Sequence, residues 1–257
     1  MVGVGNMGGA VLSGVLDAGL VPAAEVGVVD LAPERRAEFA KRGCQVSEDL
    51  KSLAGAKTTV LAIKPWLVDE VASGLGATQE RVVSVMAGVS ASTLHRAFGG
   101  GCRVVRTMPN TPCLLRQGVT GIAAGPGSTP EDVAYVAKMF RELGGVVEVD
   151  ESLLDAVTAV SGSGPAWFFR FVEALEKAAV DLGLSPQDAA TLVRSTAAGA
   201  GQMMMQGEDA PSTLRGRVTT PGGTTAAGLD VFDQALDALA QEALRAARDR
   251  GAELGRQ

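Results

Sequence analysis

Two hydrophobic rhythms divide the chain near residue 150. Before it, short apolar runs at 26–29, 58–63, 81–86, 102–106, 119–124 and 146–149 are rich in Val, Ile and Thr and read as strands. Amphipathic stretches with helical spacing fall at 33–42, 66–73, 90–97 and 130–142. Alternating strands and helices predict a mostly parallel, doubly wound sheet with helices on both faces. Ligands of such sheets bind beyond the C-terminal ends of the strands. That edge would carry Lys64-Pro65, Ala87-Gly88 and Pro109-Asn110-Thr111-Pro112.

Beyond 150 the strand signals stop. Ser161-Gly162-Ser163-Gly164-Pro165-Ala166 reads as a turn, with Pro165 suited to an early helical position. Phe168, Phe171, Val172, Leu175, Ala179 and Leu182 then mark one helix face. Ser185-Pro186-Gln187-Asp188 caps a second helix, which closes on Met203, Met204 and Met205 as core or interface filling. A last helix is expected from near Asp230, with Leu236, Leu239, Ala240, Ala243, Leu244 and Ala247 on one face. The division is therefore 1–150 and 151–257. So short a helical bundle makes a marginal core alone, which favours dimerisation.

The head of the chain carries the first candidate chemistry. Gly3, Gly5 and Gly8 form a GxGxxG fingerprint, followed by apolar residues at helical spacing. The first glycine permits the tight turn, the second lets backbone approach a pyrophosphate, and the third lets helix and strand pack closely. Only Met1 and Val2 precede Gly3, so the central first strand is expected to be nearly absent and the sheet weakened. Asp30 ends the second strand, where a carboxylate meets the ribose hydroxyls and favours NAD; Arg35 and Arg36 could instead pair with a 2′-phosphate.

Composition removes several other classes. The 257 residues have a net charge of −6 and no basic stretch, which argues against nucleic acid and anionic membrane surfaces as partners. No apolar run reaches transmembrane length and no signal peptide opens the chain, so a cytoplasmic location is expected. Cys44, Cys102 and Cys113 lack metal spacing and are odd in number, and the single His95 cannot build a metal site; no metal is expected. His95 reads as a surface or packing residue.

The second candidate is Thr219-Thr220-Pro221-Gly222-Gly223-Thr224-Thr225. Pro221 fixes φ, and the two glycines permit backbone shapes closed to other residues. Such a turn before a helix can gather N–H groups into a nest for a carboxylate. The plainer reading is a loop with a helix cap. No Cys–His or Ser–His–Asp arrangement offers a nucleophile, so the chemistry left is hydride transfer to a substrate that bears a carboxylate.

Six segments in order, GVGNMG at 3–8, AIKP at 62–65, MAGVS at 86–90, RTMPNTP at 106–112, SGSGPA at 161–166 and TTPGGTT at 219–225, resemble those of pyrroline-5-carboxylate reductases. The resemblance covers nearly the whole chain. It implies a Rossmann-like NAD(P)-binding domain, an all-α C-terminal dimerisation domain, and reduction of 1-pyrroline-5-carboxylate to L-proline with NADP(H) or NAD(H). Gly5, Asn6, Met7 and Gly8 would hold the pyrophosphate, with Gly3 and Val4 also among the cofactor-binding residues. Ala62, Ile63, Lys64, Pro65, Met86, Ala87, Gly88 and Asn110 would wall the cofactor. Thr220, Gly222, Gly223 and Thr224 would bind the substrate carboxylate, and Thr225 would hydrogen-bond the imine nitrogen. Arg217 stands where some relatives have an asparagine near the partner subunit's cofactor. A homodimer of interleaved helices, assembled further into a decamer, is also implied. The rivals are a β-hydroxyacid dehydrogenase, which needs a lysine early on the helix where this chain has only Lys177, and a non-catalytic nucleotide-sensing module.

Overall fold

The computed structural model describes residues 1–255. Contacts gather into two units: Met1–Ser163 together with the segment from Ala246, and Gly164–Arg245. In the first unit, chain order runs α1 (Asn6–Asp17), β1 (Gly27–Val29), α2 (Pro33–Lys41), β2 (Gln45–Ser47), β3 (Thr58–Leu61) and α3 (Val68–Leu75). Then come β4 (Arg81–Ser84), α4 (Ala91–Ala97), β5 (Arg103–Pro109), β6 (Gly118–Ala124), α5 (Pro130–Arg141), β7 (Gly144–Glu148) and the single turn α6 (Leu154–Val157). β3 to β7 lie side by side in chain order, all parallel except the antiparallel pair β5–β6. β1 and β2 pair in parallel beside them.

Val2 joins the two groups of strands, and this corrects the expected gap at the head of the sheet. It bridges both Val29 and Leu61 in parallel. The N–H of Val2 donates to the Val60 carbonyl at 2.8 Å, and that of Gly3 to Val29 at 2.8 Å. In return, Val29 donates to Met1 and Ala62 to Val2, each at 2.9 Å. A parallel ladder is made by backbone alone, so two residues suffice to fill the position once Met1, Val2 and Val4 are buried.

Strand periodicity builds the core on both faces. Val60, Val83 and Val105 pack with Val11, Phe39, Ile122 and Phe140. Their neighbours Leu61, Val82 and Val104 point the other way, onto Val71, Leu75, Leu94 and Phe98. α1 and α5 thus cover one face, α3 and α4 the other. At the start of α5, Thr129 and Asp132 form a reciprocal capping box. Asp132 is buried and also pairs with Arg81 at 2.6 Å and Arg103 at 2.9 Å. Burial pushes its carboxyl up. The Thr129 amide and the two guanidiniums outweigh this and hold it below its ordinary range.

Two expectations fail between 154 and 236. Ser161–Ala166 is not a turn. Thr158–Gly162 is a π-helical turn that runs through Ser163 into α7 (Gly164–Asp181). The hydroxyls of Thr158 and Ser161 return to the carbonyls four residues back, so Ser and Gly do not stop the helix here. After α8 (Pro186–Gln206) and α9 (Pro211–Arg217), the final pattern splits into α10 (Thr224–Phe232) and α11 (Leu236–Leu254). The last helix therefore starts at Leu236 rather than near Asp230, because the amides of Asp233 and Ala235 close a turn on Leu229 and Phe232.

In the second unit, Ser185 caps α8 by accepting from the Asp188 amide. Arg194 of α8 pairs with Glu176 of α7 at 2.7 Å. Phe171 and Phe232 meet as a tilted pair with ring centroids 5.9 Å apart. Yet between Gly164 and Arg245 only Gly164 and Ala189 are buried. Phe168, Phe169, Leu192, Met203, Met205 and Leu239 are all more than half exposed. The three methionines are surface residues of this chain, not core. No helix among the described residues is long and apolar enough to cross a membrane.

Candidate functional site

The first unit holds a cleft of about 1020 Å³ at the C-terminal edge of the sheet. The turn from Val2 into α1 forms its floor. Gly3 has φ +81°, and a side chain there would strike the Ala62 carbonyl oxygen at 2.5 Å. α1 begins after Gly5 with no side-chain cap and no acid in its first turn. Its first N–H groups are therefore free for an anion, and the helix dipole favours one. These features fit the pyrophosphate of a dinucleotide.

The cleft gathers every residue expected to contact the cofactor except Val4 and Gly88. Val4 turns its side chain into the core and offers only its N–H, which donates to Asp30 Oδ2 at 2.8 Å. Gly88 has φ +76° and packs against the backbone of Gly255 instead. Asn110 lines the cleft, and its Oδ1 accepts from the Val119 amide at 3.0 Å, which fixes the loop after β5. Thr107 Oγ1 donates to the Ser84 carbonyl at 2.9 Å and ties the ends of β4 and β5 together.

At the adenosine end, Asp30 Oδ1 accepts from the Ala32 amide at 2.9 Å. Arg35 also lines the cleft; Arg36 does not. Sequence reasoning missed Leu50, Lys51, Leu31 and Gly162 on the cleft wall. Leu50 and Lys51 follow β2, a strand whose three residues give no usable alternation. Gly162 arrives through the π turn, which has no sequence signature. His95 Nδ1 meets the Cys102 carbonyl at 2.8 Å, a packing contact. All three cysteines are free and buried, and burial raises their thiols above the ordinary range.

The Thr-rich stretch lies in the second unit. Gly222 has φ +71°, and a side chain on Gly223 would meet Thr220 Oγ1 at 2.4 Å. Gly223 is the N-terminal cap of α10 and supplies no side-chain bond. The stretch therefore ends in an open helix N-terminus flanked by exposed Thr224 and Thr225. Arg217 is held by Asp209 through two bonds of 2.5 and 2.9 Å.

Residues 151–254 match the family model described as pyrroline-5-carboxylate reductase dimerisation, and residues 1–88 match NADP oxidoreductase coenzyme F420-dependent. A pyrroline-5-carboxylate reductase of Pseudomonas aeruginosa is 38% identical over 100% of this chain and 96% of its own. The chain belongs to the pyrroline-5-carboxylate reductase family. A family member from Methanosarcina acetivorans is 37% identical, covering 99% of this chain and 97% of its own. Among solved structures, the Coxiella burnetii pyrroline-5-carboxylate reductase superposes with a TM-score of 0.91 at 32% identity, over 98% of this chain and 96% of that one. The Plasmodium falciparum pyrroline carboxylate reductase, solved with NADP bound, gives 0.83 at 26%, over 99% and 96%. The fold class is thus the family's: a Rossmann-like α/β domain with a mixed sheet, then a helical dimerisation domain.

Proposed function

We infer that this chain reduces the C=N bond of 1-pyrroline-5-carboxylate to give L-proline, using NADPH or NADH. One observation carries the reading: the helix N-termini that follow Gly5 before α1 and Gly223 before α10 begin on a glycine and have neither a side-chain cap nor an acid in the first turn. Each is a seat for an anion. The first, within a glycine-shaped cleft, suits a pyrophosphate, and the second suits a single carboxylate beside threonine hydroxyls.

NAD(P)H supplies the hydride. Gly3, Gly5, Asn6, Met7 and Gly8 hold its pyrophosphate, while Ala62, Ile63, Lys64, Pro65, Met86, Ala87 and Asn110 wall its cleft. Thr220, Gly222, Gly223 and Thr224 hold the substrate carboxylate. Hydride adds to the imine carbon, and the nitrogen ends as an amine. A cyclic imine takes a proton from water near neutral pH, so the Thr225 hydroxyl needs only to orient that nitrogen. The active form is a homodimer through the helical unit, assembled further into a decamer, and it works in the cytoplasm. Three free, buried cysteines suit a reducing compartment.

The test is oxidation of NADPH and of NADH at 340 nm by the purified chain with 1-pyrroline-5-carboxylate. Substrate-dependent oxidation with proline as product is expected. Dinucleotide binding without turnover would overturn the reading and leave a nucleotide-sensing module.

A further inference from the structure

Arg106 is a charge on an apolar face. Alternation along β5 puts it on the side of Val104, the side that packs onto Leu75, Leu94 and Phe98. Its side chain is 9% exposed, and its Nε is buried with no hydrogen-bond partner among the described residues. A guanidinium in such a place costs stability that a valine would not. Its counter-charge is Glu151, in the short turn after β7: Arg106 Nη1 donates to Glu151 Oε1 at 3.0 Å. Glu151 is 32% exposed, so water as well as Arg106 solvates it.

The same Glu151 oxygen accepts from the Ala91 amide at 2.6 Å. Ala91 opens α4, and the chain that leads to it from β4 carries Val85, Met86 and Ala87 of the cleft wall. The start of that segment is tied from the next residue of β5. Thr107 Oγ1 donates to the Ser84 carbonyl, and the Met86 amide donates to Ser84 Oγ at 3.2 Å. Arg106 and Thr107 point to opposite sides of the sheet and so hold the two ends of one wall segment.

β3, β4 and β5 form the half of the sheet that does not carry the glycine turn. With the pyrophosphate at α1, this half faces the reacting ring of a dinucleotide. Arg106 does not line the cleft itself. Resting on the reductase reading above, we propose that Arg106, acting through Glu151, is a positioning residue for hydride transfer: the pair fixes segment 86–90, which walls the reacting half of the cleft. A small misplacement of that wall slows a transfer that depends on alignment, while the pyrophosphate seat at α1 stays as it was.

The test separates rate from binding in the full chain. Single-turnover oxidation of the faster of NADPH and NADH, with excess enzyme and saturating 1-pyrroline-5-carboxylate, reads the transfer. Calorimetric titration of the oxidised dinucleotide, without substrate, reads binding. Arg106→Met keeps the stem and removes the charge; it should slow the single turnover about tenfold or more while the Kd moves less than threefold. Arg106→Lys returns a cation to Glu151 and should restore most of the rate. Glu151→Asp keeps the charge but draws the carboxylate back from the Ala91 amide. It should slow the turnover too, and it carries the test if Arg106→Met does not fold. Asp132→Asn also weakens a buried ion-pair cluster, but Asp132, Arg81 and Arg103 do not line the cleft. It should lower the melting temperature and leave the single-turnover rate in place.

An unchanged rate in the folded variant, a parallel loss of rate and binding, or an equal loss of rate in Asp132→Asn would overturn the assignment and leave the reductase reading standing. A wild type that binds dinucleotide without turnover would overturn the reductase reading, and the assignment with it.

Discussion

A methyl group on Gly8 would stand 2.1 Å from the carbonyl oxygen of Gly3. It would also lie 2.8 Å from the Ala62 Cβ. Neither neighbour is the end of a flexible side chain, so the turn into α1 must open. Gly8→Ala is expected to cost about 1–3 kcal/mol, in the range of overpacked sites. It should also weaken both dinucleotides together. Thermal melting and calorimetry check the two effects on one sample.

Asp132 sets an acid limit. Its carboxyl stays ionised to lower pH in the folded chain than in the unfolded one. The stability it contributes is therefore fully present above the ordinary aspartate pKa of about 3.9, and is lost as pH falls through the lower folded value. Asp132→Ala leaves Arg81 nearly buried without its partner, and should cost about 3–5 kcal/mol at neutral pH. Asp132→Asn should flatten the fall in stability below pH 4. Urea midpoints from pH 3 to 7 would show both.

Thr225 is exposed in the first turn of α10. Thr225→Ala should leave the melting temperature in place and lower kcat/KM by about tenfold or more, the value of one hydrogen bond to a reacting group. Thr225→Ser, which keeps the hydroxyl, should restore most of the rate. Equal rates in the wild type and the alanine variant would remove Thr225 from the chemistry.

The second unit has almost no buried side chain, so the proposed homodimer is expected to cover its apolar faces. Sedimentation should give a mass that is a multiple of 26.2 kDa, and melting should depend on concentration. Phe169→Glu or Leu239→Glu, each placing a charge on an exposed apolar position, should shift the mass toward the monomer and reduce helical signal.

Much of this was legible in the sequence because it is written in residues that backbone geometry demands. Glycines at 3 and 8 are required by close approaches to backbone, and Gly222 by its positive φ. Most of the strands show in Val-rich runs, and β3, β4 and β5 are buried on both faces. What escaped was carried by backbone pairing or by local hydroxyl bonding. The Val2 bridge is two residues long, and β2 is three residues with a half-exposed Gln-Val-Ser pattern. The π turn at 158–162 is made by Thr and Ser bonding their own helix, where Ser-Gly repeats suggest a break. Which of Arg35 and Arg36 lines the cleft was open in sequence, because adjacent arginines differ only in what surrounds them.

The π turn also bears on how the molecule can be taken apart. Leu154 and Ala159 lie beyond the last strand, yet both are almost fully buried within the first unit, and Gly251 near the far end of α11 lies against Asp155. A recombinant fragment cut at residue 150 would strip these from the sheet and expose what they cover. A nucleotide-binding fragment meant for labelling or crystallography should therefore run to Ser163 and carry the 246–255 peptide, fused or added in trans.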